Sequence, residues 1–143
     1  MGALDLTALV SDAANVAWCD KHGGFLAVKQ EPGRYEIHTM ICPAGRGLSA
    51  QAGAIAGLRY LFTRTDCVEL VTKVPEYNTV TKAFAEKLGF TLLFQREAAW
   101  DRPKCSVGYY RLTFDEWVHQ DPQVKAAGHR FHTDLEAMKK ASG

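Results

Sequence analysis

A carboxylate and an imidazole stand two residues apart in a segment whose pattern predicts a strand over residues 34–41. Alternation along that strand puts Tyr35, Ile37, Thr39 and Ile41 on one face and Glu36, His38 and Met40 on the other. Glu36 and His38 are therefore expected to share a face, and imidazole can exchange a proton near neutral pH. The alternative is that both belong to a solvated sheet face or make only local hydrogen bonds.

The segment that follows this strand has the composition of an anion-binding turn. Pro43, Gly45 and Gly47 interrupt the strand pattern, Ser49 is a good N-cap, and the spacing predicts a helix over 50–62. The first N–H groups of a helix have no intrahelical partners, and the helix dipole favours negative charge there. The junction therefore suits a phosphate, although strand–glycine–helix junctions also occur for purely structural reasons. It reads Ile41-Cys42-Pro43-Ala44-Gly45-Arg46-Gly47-Leu48-Ser49-Ala50-Gln51.

The surrounding pattern predicts an α+β protein with a mixed, mostly antiparallel sheet. Strands are predicted over 16–19, 24–30, 34–41, 67–74, 90–97 and 106–113, and helices over 4–10, 50–62 and 78–88. Asn78 and Gly89 are expected to begin and end the last of these helices. The order is β-β-β-α-β-α-β-β-α with one β-α-β crossover, and helices flank the sheet.

Composition limits the classes of function. The chain has 143 residues, 47% of them hydrophobic, and a net charge of +1, so we expect one domain over 1–143 that binds neither nucleic acid nor a membrane. Its core is expected over 16–113 and a helical tail over 114–143. Met1–Asp12 lacks the features of a signal peptide, which predicts a soluble cytoplasmic protein. No CxxC pair occurs, and no metal site is predicted.

The junction and a second segment together resemble the GNAT N-acetyltransferase superfamily. Arg46-Gly47-Leu48-Ser49-Ala50-Gln51 after a strand is similar to the family's pyrophosphate loop. Asn78, followed by Glu86-Lys87-Leu88-Gly89-Phe90, is similar to its second signature. The resemblance covers about residues 24–112 and implies a GNAT-like fold that uses acetyl-CoA as co-substrate.

The resemblance also implies roles for individual residues. Glu36 stands where family members carry a general base, with His38 as a second candidate. Backbone groups of Ile41 and Cys42 would meet the thioester, and Asn78 would bind the pantetheine arm or a water, or act only as an N-cap. The pyrophosphate would be held by Arg46, Gly47, Leu48, Ser49, Ala50 and Gln51.

The chain departs from the family pattern at several positions. Ser49 and Gln51 replace small loop residues, and Ala85 stands where many members carry the Tyr that protonates the departing thiolate. The N-terminal region is too short for the usual strand and two helices, so a dimer partner is expected to cover one side of the acceptor cleft.

Two functions are therefore predicted. The first is transfer of acetyl from acetyl-CoA to an unidentified primary amine, by direct attack in a ternary complex. The alternative is a catalytically silent GNAT-fold binding or assembly protein, resembling compact proteins encoded by bacteriophages.

Overall fold

The computed structural model describes residues 6–20, 23–41, 48–100, 104–122, 125–126 and 137–140. Their elements follow the predicted order, and a short helix stands in front where one is predicted over 4–10. They are α1 (Leu6–Ser11), β1 (Val16–Asp20), β2 (Gly23–Glu31), β3 (Arg34–Ile41), α2 (Leu48–Arg64), β4 (Glu69–Pro75), α3 (Thr79–Lys87), β5 (Thr91–Ala98), β6 (Cys105–Thr113) and α4 (Phe114–Gln120).

The strands form one six-stranded sheet in the order β1-β2-β3-β4-β6-β5. Among the described strands, only β3 and β4 pair in parallel, and the other neighbours are antiparallel. The predicted mixed, mostly antiparallel sheet flanked by helices is therefore confirmed. The single parallel pair is joined through α2, which is the predicted β-α-β crossover.

Both crossover helices cover the same face of the sheet. The chain passes from β3 through α2 to β4, and from β4 through α3 to β5, moving in one direction along the sheet. Right-handed crossovers in one direction put their helices on one side. We call this side the helix face. Its core includes Ala27, Tyr35, Leu70, Val74 and Leu112 from the strands and Leu58, Leu61, Phe62 and Ala85 from the helices.

Local capping signals set most helix ends. The Asn78 side chain accepts a hydrogen bond from the backbone N–H of Thr81 at 3.2 Å, and Gly89 ends α3 with φ +96°. Thr113 and Glu116 form a capping box at the start of α4. The predicted cap at Ser49 is wrong, because α2 begins at Leu48 and Ser49 lies inside its first turn.

Helix α4, which begins the predicted tail, packs against α2. Trp117 is buried and stacks on Phe62 with ring centroids 5.3 Å apart. The buried Asp121 carboxylate accepts hydrogen bonds from Arg59 Nη2 at 3.1 and 3.3 Å. The rest of the helical tail predicted over 114–143 lies largely outside the described residues. None of the described helices has the length and apolar character needed to cross a lipid bilayer.

Candidate functional site

The two parallel strands separate partway along their length. β3 and β4 pair only at Arg34–Glu69, Tyr35–Leu70 and Glu36–Val71, although β3 continues to Ile41 and β4 to Pro75. The hydroxyl of Thr72 donates a hydrogen bond to the carbonyl oxygen of Ile37 at 3.1 Å. A side chain thus bridges the strands one residue past their last backbone pair, and beyond it they leave a gap.

A narrow apolar cavity of about 60 Å³ lies behind this gap on the helix face. Small residues of α2 let it approach the sheet: a Cβ on Gly57 would lie 2.6 Å from Cε1 of Phe25. Residues of both crossover helices contribute to the wall, so the gap opens between α2 and α3. The wall consists of Phe25, Ile37, Thr39, Ala54, Gly57, Leu58, Leu61, Thr72, Thr81, Phe84, Ala85, Leu88 and Phe90.

The opposite side of the sheet carries the charged groups beside the gap. We call it the Glu36 face and define it by Glu36, His38, Lys73 and Tyr109. Strand alternation predicts Glu36 and His38 on one face, and the structure agrees: His38 Nε2 lies 3.2 Å from Glu36 Oε1. Lys73 Nζ lies 3.7 Å from the other carboxylate oxygen, which also accepts a hydrogen bond from Gln30 Nε2.

These partners keep Glu36 ionised. The hydrogen bond from His38 lowers the pKa of the Glu36 carboxyl below its usual value, and the charge of Lys73 adds to this effect. Partial burial opposes the shift, since the side chain is only 12% exposed. Because a carboxylate can only accept, the imidazole Nε2 must carry the proton in this pair. Nδ1 of a neutral His38 is then an acceptor, on a side chain that is 35% exposed.

The predicted cofactor residues are only partly described. Cys42 and the first two residues of the predicted pyrophosphate loop, Arg46 and Gly47, lie outside the described residues. Ile41 is the last residue of β3, and Leu48, Ser49 and Ala50 form the first turn of α2. The strand before the predicted anion site and the helix after it are therefore present.

Gln51 and Asn78 can be placed in more detail. Gln51 is half-buried and lines a second cavity, of about 190 Å³, between α2, α3 and α4. Asn78 uses its side-chain oxygen as the cap of α3, which leaves its amide nitrogen as a donor. The role of Gln51 in binding the pyrophosphate and that of Asn78 in binding the pantetheine arm or a water stay predictions.

Ala85 and Thr81 on α3 and Thr72 on β4 line the cavity next to the gap. Ala85 is 6% exposed and forms part of the cavity wall, so the position at which the resemblance would place a Tyr faces the gap. Thr81 lies one helical turn earlier in the same wall. Sequence reasoning missed Thr72, Thr81 and Lys73. A lone lysine in the otherwise mostly apolar strand that ends at Pro75 was the available signal for Lys73.

The described residues contain no group of three or more metal-ligating side chains. Cys67 is buried as a free thiol, and burial raises its pKa to about 12, so this thiol is not a ready nucleophile. Cys105 is also free and half-buried. Among the described residues, the side chains that can do chemistry at the gap are therefore Glu36, His38, Lys73 and the threonine hydroxyls.

Solved structures of acetyltransferases share this fold. An acetyltransferase of the GNAT family from Bacillus anthracis superposes with a TM-score of 0.60 at 20% identity, covering 66% of this chain and 59% of that one. The spermidine N-acetyltransferase from Vibrio cholerae, solved with CoA and spermine, superposes with a TM-score of 0.68 at 15% identity. The superposition covers 78% of this chain and 73% of that one. The chain thus spans less than two thirds of the Bacillus anthracis structure.

Sequence comparisons add no closer relative. No protein-family model matches the chain, and no curated protein matches it at a significant level. The likeness to solved structures therefore establishes the GNAT fold. The resemblance to bacteriophage proteins finds no support in these structures and stays a prediction.

Proposed function

We propose that this protein transfers acetyl from acetyl-CoA to a primary amine by direct attack in a ternary complex. The observation that carries the proposal is the gap between β3 and β4, which has an apolar cavity on one side and the Glu36–His38 pair on the other. A thioester held in such a gap meets its acceptor beside a base. The acetyltransferases that share the fold support this reading.

The donor would bind along β3 and the start of α2. Beyond Glu36 the edge of β3 that faces β4 has no paired strand among the described residues, so its peptide groups can pair with the amides of a pantetheine arm. Residues 46–51 would hold the pyrophosphate at the N-terminus of α2, where helix N–H groups favour an anion. The Asn78 amide nitrogen would donate to the arm from the start of α3.

The Glu36–His38 pair would take the proton of the attacking amine. Glu36 holds the imidazole with Nε2 as donor, so His38 can accept a proton at Nδ1 and the resulting imidazolium is stabilised by the carboxylate. Glu36 is a weaker base than an ordinary carboxylate, because its pKa is lowered. We therefore give Glu36 the orienting and stabilising role and His38 the accepting one.

The leaving thiolate needs another proton donor. Ala85 has no polar atom to offer, whereas three hydroxyl groups line the cavity, on Thr39, Thr72 and Thr81. Thr72 already donates to Ile37. We propose that Thr81, one helical turn before Ala85, or a water beside it, donates to the thiolate.

A catalytically silent binding protein is the second candidate. The observation that favours it is Ala85 in the cavity wall, where the family's usual acid is replaced by a methyl group. Such a protein could bind a CoA thioester or have lost that ability altogether, but it would not transfer acetyl to an amine.

Thermal unfolding with and without acetyl-CoA tests the donor site, and release of free CoA in the presence of amines tests transfer. A ligand that binds only the native state at 100 times its Kd stabilises by about 2.7 kcal/mol. We expect a rise in Tm and amine-dependent release of CoA. A rise in Tm without release favours the binding protein, and no rise at millimolar acetyl-CoA rejects a CoA site.

A further inference from the structure

Lys73 brings a primary amine to the rim of the gap. Its Nζ lies 3.7 Å from Oε2 of Glu36 and 5.7 Å from the centre of the Tyr109 ring, and its side chain is 38% exposed. Tyr109 stacks on Phe94 with ring centroids 4.5 Å apart. The aromatic ring and the carboxylate thus hold the lysine against the sheet, while its amine stays accessible.

Lys73 also lies on the correct strand to reach a thioester in the gap. It follows Thr72, which lines the cavity from β4, and it comes two residues after Val71, the last residue of β4 that pairs with β3. Alternation along the strand puts Thr72 on the cavity side and Lys73 on the Glu36 face. The lysine amine therefore stands where an external amine acceptor would have to stand.

We propose that Lys73 is an acetylation site, at which the protein transfers acetyl from acetyl-CoA to its own amine. The inference rests on the proposed function, because it requires acetyl-CoA in the gap. It differs from that function in its acceptor, which is a residue of the chain itself.

The reaction balances with acetyl-CoA as the only co-reactant. One proton moves from the Lys73 ammonium to the Glu36–His38 pair, and the neutral Nζ attacks the thioester carbonyl. A C–N bond forms and the C–S bond breaks. The tetrahedral nitrogen loses its second proton, which reaches the CoA thiolate through Thr81 or a water, and the Glu36–His38 pair returns the first proton to solvent. The products are Nε-acetyl-Lys73 and free CoA.

Acetylation would change the charge beside the base. An amide cannot form the ion pair with Glu36, so Oε2 loses its cationic partner and keeps the hydrogen bond from Gln30. A cationic external amine could then take the place of the lysine at Glu36. Acetylation of Lys73 would thus prepare the Glu36 face for such an acceptor.

The test is mass spectrometry of the full chain after incubation with acetyl-CoA. Trypsin does not cleave after acetyl-lysine, so modification yields a peptide over 65–82 with Lys73 uncleaved. Lys82 and Lys87 both lie on α3, which flanks the gap, and they serve as reference amines in the same sample. We expect Lys73 to be acetylated roughly tenfold faster or more, because it is held beside the base.

Two variants and two conditions define the result. In the chain unfolded with urea, Lys73 should be acetylated no faster than the reference lysines. Glu36→Gln should lower the acetylation rate of Lys73 to the rate of the reference lysines. Lys73→Arg should leave the acetylation rates of Lys82 and Lys87 unchanged. The rate per molecule should not depend on protein concentration, and a rate proportional to concentration would overturn transfer within one chain.

The two proposals fail in different ways. If acetyl-CoA raises Tm and amines release free CoA, but Lys73 is modified no faster than Lys82 and Lys87, this inference is wrong and the proposed function stands. If acetyl-CoA neither raises Tm nor labels Lys73 selectively, both are wrong. Equal labelling of Lys73 in the Glu36→Gln variant would overturn the role of Glu36 in the step.

Discussion

His38 Nε2 lies 3.2 Å from Glu36 Oε1, which joins two residues of β3 into one hydrogen-bonded pair at the point where that strand leaves β4. Closeness in sequence does not by itself place this pair where β3 leaves β4. The pleat of the strand turns both side chains to one face, and Glu36 is the last residue of β3 that pairs with β4. The pair therefore stands at the entrance of the gap.

The first prediction concerns this pair. His38→Ala should lower the rate of acetyl transfer by roughly 10²–10⁴-fold, the usual contribution of a general base. Glu36→Gln should also lower the rate, since an amide cannot stabilise an imidazolium. Both variants should keep the rise in Tm with acetyl-CoA, because the pyrophosphate is predicted to bind at residues 46–51 and not at Glu36 or His38. CoA release and thermal unfolding measure the two effects.

Glu97→Gln on β5 is the matched control, because Glu97 is an exposed carboxylate on an edge strand. It should leave both the rate and the rise in Tm unchanged. Full activity in His38→Ala would remove His38 from the mechanism.

The second prediction tests whether the cavity is the donor site. Ala85→Leu puts a branched side chain into a cavity of about 60 Å³ and should abolish the rise in Tm with acetyl-CoA. Overpacking should also lower the free energy of unfolding by about 1–3 kcal/mol. Thermal unfolding with and without ligand gives both values, and far-UV circular dichroism reports whether the fold remains.

Ala83→Leu is the control on the same helix, because Ala83 is exposed. This variant should bind acetyl-CoA like the parent protein. An undiminished rise in Tm in folded Ala85→Leu would mean that the acyl group binds elsewhere.

The third prediction is a pH dependence of stability that depends on Asp66. Its carboxylate accepts from Lys29 Nζ at 2.8 Å, from the Tyr35 hydroxyl at 2.7 Å and from the backbone N–H of Gly33 at 3.3 Å. These contacts, with Lys29 first, lower the pKa of Asp66 from 3.8 to about 2. Because the folded pKa is the lower one, the contribution is complete above the unfolded pKa and is lost as pH falls towards 2.

Asp66→Asn should therefore be less stable than the parent chain at pH 7, and the difference should shrink between pH 4 and about 2. Urea unfolding at several pH values measures it. Glu76→Gln, at an exposed carboxylate after β4, should show no such convergence. A constant difference across this range would contradict the role of the Asp66 contacts.

The fourth prediction concerns the end of α3. Gly89 has φ +96°, and a Cβ at this position would overlap the side-chain amide of Gln120, whose Nε2 donates to the carbonyl oxygen of Leu88 at 2.6 Å. Gly89→Ala should destabilise the protein by about 1–3 kcal/mol through the positive φ, and by more through the overlap.

Adding Gln120→Ala separates the two causes. The double variant removes the overlap but keeps the positive φ, so the effect of Gly89→Ala should be smaller in the Gln120→Ala background than in the parent. Thermal unfolding of the four proteins measures this difference. Equal effects in both backgrounds would show that the overlap contributes nothing.

Local sequence determined the order of elements and several of their ends. Asn78, Gly89 and the Thr113–Glu116 capping box act through hydrogen bonds and dihedral angles within a few residues, so they can be predicted without knowledge of the rest of the chain. The same locality explains why Glu36 and His38 were predicted on one face. It also explains the error at Ser49, since a preference for the cap position does not decide which residue occupies it.

Tertiary structure alone decided where the strands lie and therefore which groups meet. Nothing near Lys73 in the sequence specifies that its amine comes within 3.7 Å of Glu36, because this depends on β4 lying beside β3 and parting from it after Val71. The position of Ala85 in the cavity wall likewise depends on both crossover helices covering one face. Such contacts join residues far apart in the chain, and only the packing of the whole sheet brings them together.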